Sequence, residues 1–151
     1  MIRDLNHDDL PQLLELAREM HRTGVYAAYP MDEARVAFIL TRLIEVPEAL
    51  SIGYEIKGAL VGAFFGEVVQ DLWVDAMIGV NQMVYVREGS RSSKAGLSLI
   101  KAYTDWATQQ GADVLSFSVY AGINNAAVGR ALQKLNYSDA GGVYKKEVQH
   151  G

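Results

Sequence analysis

The sequence contains no cysteine, which excludes disulfide frameworks, thiolate metal sites and cysteine nucleophiles together. Its three histidines, His7, His21 and His150, are too scattered for metal-ligand spacing such as i, i+4, so structural or surface roles are expected of them and no metal is implied. It carries no basic block either. Lys and Arg number 14 against 18 Asp and Glu, a formal net charge of -4, which argues against nucleic-acid binding driven by phosphate neutralisation. No apolar run approaches the roughly 20 residues needed to span a bilayer, and the opening MIRDLNHDDL lacks the apolar core of a secretory signal. These absences lead us to expect a soluble cytoplasmic protein with neither membrane nor nucleic acid as partner.

What is present suits one core. With 151 residues and 50% hydrophobic content the chain is short for two domains, so a single domain over 1–151 is expected. After a short strand at 2–4, Leu10, Leu13, Leu14, Ala17 and Met20 recur at helical spacing, with Asp8 as the expected cap and Pro11 tolerated in the first turn. Residues 24–30 break that pattern, and a second helix from about Asp32 carries Val36, Ile39, Leu40 and Leu43 before Pro47 ends it. Residues 49–56 and 59–69 read as a hairpin turned at Lys57-Gly58, and 76–86 as a third strand. A long helix then stops at Gly111, a strand is expected at 114–120, a helix at 124–135 and a closing strand at 143–148. Trp73 and Trp106 are assigned to packing. The order β-α-α-β-β-β-α-β-α-β implies an α/β arrangement of the α+β kind, a mixed sheet with helices on both faces.

The stretch 84–101, VYVREGSRSSKAGLSLIK, is the most telling. The β-formers Val84, Tyr85 and Val86 meet a small polar loop at 89–93, beyond which Leu99, Ile100, Tyr103 and Ala107 recur at helical spacing. A helix thus begins inside the loop. Its first N–H groups lack intrahelical acceptors and lie at the positive end of the macrodipole, which suits a phosphate-bearing ligand. Arg91 reads as a phosphate contact, and Lys94 as a second cation that lysine's habits would also leave in solvent. Gly96 fits a close phosphate approach or close helix packing equally.

This stretch resembles the signature loop of the GNAT superfamily of acyl-CoA-dependent N-acyltransferases, V-x-P-x-x-R-G-x-G-x-A/G followed by an apolar helix. Val86 stands at the family valine, Glu88 at the proline, Arg91 at the arginine, Gly96 at the last small residue and Leu99 at the apolar anchor, while Ser92 and Lys94 replace glycines. RSSKAG is similar to the R-G-S-R-A-G form of GNAT-like proteins encoded by bacteriophages. The segment NNAAVGRALQKLNY is similar to the family's N-x-x-A-x-x-x-Y-x-x-x-G-F helix and turn, with Asn125 at the asparagine, but Leu132 occupies the position of the tyrosine that protonates the departing thiolate. Tyr120, Tyr137 or Tyr144 could supply that hydroxyl instead, as could solvent.

The resemblance implies a mostly antiparallel sheet of about six to seven strands with a splayed V between the fourth and fifth. It implies acetyl-CoA or another acyl-CoA as co-substrate, held by main chain at Val84 and Val86 and by the loop residues Arg91, Ser92, Ser93, Lys94, Ala95 and Gly96, with Asn125 nearby. The implied reaction is direct attack by a primary amine of a small molecule or a protein. A general base is expected on the strands before the loop, with Glu67 leading and Asp71 and Asp75 behind it, although a strand-end glutamate is ordinarily just exposed. Asn81 and Gln82 interrupt an apolar strand, as a substrate contact, a bulge or a solvent-facing pair would. Tyr26 and Tyr29 fall in the connection that would cover the acceptor. The acidic balance weakly favours a cationic acceptor through steering, and an unpaired edge strand near the C-terminus would permit a homodimer. The rival from another class is a GNAT-shaped binding or regulatory protein without turnover, which Leu132 favours.

Overall fold

The computed structural model describes residues 1–91, 94–119 and 125–150, with Asn125 and Ala126 described by their backbone. The elements are β1 (Ile2–Asp4), a 3₁₀ turn (His7–Asp9), α1 (Leu10–Thr23), α2 (Glu33–Glu45), β2 (Leu50–Ile56), β3 (Ala59–Gln70), β4 (Met77–Val86), a second 3₁₀ turn (Glu88–Ser90), α3 (Ala95–Gln109), β5 (Val114–Leu115) and α4 (Asn125–Lys134). No helix among the described residues is long and apolar enough to cross a membrane.

Local chemistry sets most of these boundaries. Asn6 accepts from the Asp8 N–H at 2.8 Å while the Asp9 carboxylate accepts from the Asn6 N–H at 2.9 Å, so Asn6 and Asp9 form the reciprocal cap that the sequence suggested for Asp8. Asp9 is buried and also takes two hydrogen bonds from the Arg3 guanidinium, at 2.9 and 2.7 Å, while Arg3 reaches Glu55 at 2.6 Å. The start of α1 is thereby tied to the β1–β2 edge, and the adjacent guanidinium holds the Asp9 carboxyl below its usual range. Asp32 caps α2 through the Arg35 N–H at 3.0 Å. Lys57 and Gly58, with φ of 52° and 81°, make the tight hairpin turn between β2 and β3.

The strands form one sheet in the order β1-β2-β3-β4-β5, antiparallel as far as β4 and parallel between β4 and β5. Alternation along β3 divides the core. Phe65 packs with Leu13, Leu16 and Leu40 on the α1–α2 face. Phe64 stacks on Tyr103 of α3, 4.8 Å between ring centres, on the opposite face. Each of these fully buried side chains contributes about 1.5–3 kcal/mol by leaving water. Gly79 lets the second layer close down, because a Cβ there would meet Leu115 and the Tyr103 hydroxyl, each at 2.9 Å.

Four expectations need correction. Among the described residues the sheet has five strands, not six or seven. The strand expected at 114–120 is paired only at Val114–Leu115, and the one expected at 143–148 is absent. In VYKKEV the charged triplet spoils a period-2 apolar face, and Val143, Tyr144 and Val148 stand 70, 98 and 68% exposed. Trp106 does pack against the α3 core, but Trp73 is 91% exposed. Asp71 accepts from the Trp73 and Val74 N–H groups, and this Asx turn carries the β3–β4 tip beyond any helix that could cover it.

Candidate functional site

The seam between β4 and β5 is where the sheet comes apart. Ile78 pairs with Val114 and Gly79 with Leu115, and the Ser116 N–H donates to the Gly79 carbonyl at 2.8 Å. Two residues farther along β4, a side chain replaces the main chain. Asn81 Nδ2 donates to the Ser118 carbonyl at 3.1 Å and Asn81 Oδ1 accepts from the Ser118 N–H at 2.8 Å. At the same place the register with β3 slips, since Gly66 faces Asn81 but Phe65 faces Met83, leaving Gln82 as the extra residue of a β-bulge. A bulge bends its strand and increases the twist. Asn81 and Gln82 are therefore the residues that part the strands.

Beyond them opens a cleft of about 750 Å³, walled by β4 from Asn81 to Val86 and, across the gap, by Phe117, Ser118 and Val119. It passes through the sheet. On one side it reaches α1 and α2 at Met20, Val36, Ile39 and Leu43, and on the other α3 and α4 at Gly96, Leu97, Arg130 and Lys134.

The open edge of β4 is its main chain. Because the Arg87 N–H donates to Val61 of β3 at 2.8 Å, antiparallel alternation turns the peptide groups of Tyr85 and Met83 toward β3 and those of Val84 and Val86 toward the cleft. Arg91 folds back onto this edge. Its Nε donates to the Val86 carbonyl and its Nη2 to the Tyr85 hydroxyl, both at 3.2 Å, and its guanidinium lies 5.6 Å from the centre of the Tyr85 ring. Burial pushes the Tyr85 phenol above its ordinary pKa, so it remains a neutral partner.

At the start of α3, Ala95 is fully buried and Lys94 is exposed and makes no side-chain cap. Gly96 lines the cleft, and among the described residues a Cβ built on it would come within 4 Å of Val86 Cγ2 alone, at 3.9 Å. Packing against the described residues therefore does not require glycine there. Ser92, Ser93 and Tyr120 lie outside the described residues, and Asn125 is described as the first residue of α4.

The catalytic candidates are gathered less well. Glu67 is half-buried and accepts from Gln82 Nε2; Gln82 lines the cleft and Glu67 stands behind it. Asp71 is engaged in its turn, and Asp75 is exposed. Tyr137 shares a hydrogen bond with Thr104 at 2.8 Å, away from the cleft wall. Tyr144 is in solvent. Tyr26 lines the cleft, whereas Tyr29 sits in a neighbouring depression beside residues 145–148.

His21 lines the cleft as well. Its Nε2 is 2.7 Å from the Tyr29 carbonyl, which can only accept, so Nε2 carries a hydrogen and donates it. The signal was in the sequence, since His21 follows Ala17 by four residues on the apolar stripe of α1.

No protein-family model and no curated protein matches the sequence. Solved structures do match. Aminoglycoside 6'-N-acetyltransferase AAC(6')-IG from Acinetobacter haemolyticus is 16% identical over 99% of each chain, with a TM-score of 0.72. AAC(6')-Iy, in complex with the bisubstrate analogue CoA-S-monomethyl-acetylneamine, is 17% identical over 99% of this chain and 98% of its own, with a TM-score of 0.72. Ribosomal-protein-alanine N-acetyltransferase from Brucella melitensis is 16% identical over 98% of this chain and 99% of its own, with a TM-score of 0.68. At such identities the likeness establishes the fold, which is the GNAT fold of these acetyltransferases.

Proposed function

We propose that the protein is an acyl-CoA-dependent N-acyltransferase that moves acetyl from acetyl-CoA to a primary amine by direct attack. The observation that carries this is the junction where the outward main chain of Val84 and Val86 and the bare first turn of α3 at Gly96 face one cleft. The co-substrate would supply the thioester and a thiolate leaving group. Val84 and Val86 would hold the pantetheine arm as a strand holds its neighbour. The N–H groups of residues 92–96 would hold the pyrophosphate at the positive end of α3, with Ser92, Ser93, Lys94 and Ala95 contributing main chain. Arg91 buttresses this grip by fixing the Val86 carbonyl, and Asn125 would close it from α4. Fold kinship with an enzyme solved with a coenzyme A bisubstrate analogue supports the assignment.

For the amine, Gln82 presents a side-chain amide to the cleft and Glu67 is the carboxylate behind it. We assign Gln82 to positioning the amine and Glu67 to receiving its proton through water. With Leu132 on α4, Tyr137 bonded to Thr104 and Tyr144 exposed, Tyr120, outside the described residues, and solvent remain to protonate the thiolate. The RSSKAG sequence supports a kinship with phage-encoded GNAT-like proteins, and we infer a cytoplasmic location. β5, at the sheet edge among the described residues, would admit a second copy.

Calorimetry with acetyl-CoA, coenzyme A and ATP, paired with thiol release over a panel of amines, tests the reading. Binding of acetyl-CoA in preference to ATP, with amine-dependent thiol release, is expected. Tight coenzyme A binding without release by any amine would instead identify a GNAT-shaped binding protein, which the leucine at position 132 favours.

A further inference from the structure

We infer, resting on the transferase reading above, that the acceptor is a monoamine carried on an apolar body, such as an arylalkylamine or alkylamine, and not a polycation. The two ends of the cleft differ in chemistry. Toward α3 and α4 it carries the cations Arg130 and Lys134, as an anionic co-substrate requires, while the Arg91 guanidinium lies over the Tyr85 ring. Toward α1 and α2 it is walled by Met20, Met31, Val36, Ile39, Leu43 and Met83. Val36, Ile39 and Leu43 fall at i, i+3 and i+7 of α2, one continuous apolar face.

Among the described residues no aspartate or glutamate lines the cleft, and its α1 end holds His21, the Tyr26 and Tyr85 phenols and the Arg91 guanidinium over Tyr85. The charge added at the Tyr26 rim has the wrong sign for a polycation. Lys145 donates to the Val25 carbonyl at 2.9 Å and lies 5.5 Å from the centre of the Tyr26 ring. Its partner Glu147, at 3.0 Å, stays with it outside the cleft lining. Several ammonium groups entering this half would lose water and find no carboxylate in its lining, with Glu67 alone behind Gln82 to serve the reacting amine, a cost that grows with each further charge. A single amine faces the opposite balance. It must be neutral to attack, apolar surroundings favour the neutral form, and the rest of the molecule gains by burial against aliphatic and thioether side chains. The acidic net charge of the whole chain is therefore a poor guide to the acceptor, because its carboxylates lie elsewhere: Glu15 and Glu19 on Arg87, Glu33 on Arg18, Asp9 and Glu55 on Arg3.

The test uses the full chain and acetyl-CoA, with thiol release measured for 2-phenylethylamine and hexylamine against spermidine and kanamycin. We expect kcat/KM at least tenfold higher for the two apolar monoamines. Ile39→Asp should reduce the 2-phenylethylamine value at least tenfold and raise that of spermidine, with coenzyme A affinity by calorimetry unchanged. Equal or higher values for the polycations would overturn the inference while leaving the transferase reading intact. So would a flat amine panel with faster transfer from hexanoyl-CoA than from acetyl-CoA, since the apolar half would then house the acyl chain. Absence of coenzyme A binding would overturn the transferase reading instead. In that event the methyl resonances of Met20, Met31 and Met83 still decide the acceptor class: they should shift on adding 2-phenylethylamine but not spermidine, and the reverse refutes it.

Discussion

The two ends of the β4–β5 seam are built from the same strand and behave oppositely. At Ile78 and Gly79 the main chains pair directly, and Gly79 has no side chain because Leu115 and Tyr103 occupy its space. At Asn81 and beyond, the strands are kept apart by a side chain whose two hydrogen bonds to Ser118 stand in for a ladder. Closing one end tightly is what allows the other to open without unravelling the sheet. Because the Asn81 amide and the Ser118 main chain satisfy one another, the point of parting is held before any ligand arrives, while the Val84 and Val86 edge beyond it stays open to one.

The largest expected effect comes from breaking the closed end. Gly79→Val would drive a branched side chain into Leu115 and the Tyr103 hydroxyl, so a loss of about 3 kcal/mol is expected, read as a lower denaturant midpoint at unchanged slope. Next comes a control far from the seam. Arg3→Ala leaves the buried Asp9 carboxylate without its guanidinium and should cost about 2 kcal/mol at neutral pH while coenzyme A affinity holds. Its pH dependence has a definite sign. The Asp9 pKa is depressed in the folded state, so this stabilisation is complete above the unfolded carboxylate value of about 3.9 and is lost as pH falls through the lower folded value. Acid denaturation of Arg3→Ala should show a correspondingly smaller loss over that window.

At the open end the effect should move from stability to binding. Gly96→Leu is expected to raise the coenzyme A Kd about tenfold, near 1.4 kcal/mol, with stability changed by no more than about 0.5 kcal/mol because among the described residues only Val86 comes within 4 Å of that space. Equal losses in both measurements would mean that Gly96 serves packing after all. Asn81→Ala is the mildest. Loss of the bridge to Ser118 should cost about 1 kcal/mol and show first as faster amide exchange at Ser118, with Gly79 and Ser116 still protected.

Much of this was legible in the sequence where periodicity and end signals agreed. The stripe of α1, the start of α2 beside Asp32, the Lys57-Gly58 turn and the strand-to-helix junction at 84–101 are local features that emerged as expected. What failed depended on distant partners. The length of β5 is set by a bulge and by the Asn81 side chain on another strand, and no pattern within 114–120 reports that. Glu67 could be identified as a carboxylate near a strand end, but its place behind Gln82 follows from the β3–β4 register. Asp8 and Asp9 are adjacent candidates for one cap, and Arg3 across the β1–α1 corner selects Asp9. Metal-ligand spacing says nothing of His21, whose position on the α1 stripe is the informative cue.

The Asx turn at Asp71 has a practical consequence. Of the two tryptophans, it puts Trp73 in solvent at 91% exposure, while Trp106 is half-buried beside Ala107 and Leu115. A water-soluble quencher such as acrylamide should therefore extinguish the red-shifted emission of the first and spare the bluer light of the second. The chain thus carries its own optical gauge of the helix that opens at the cleft, with no label needed.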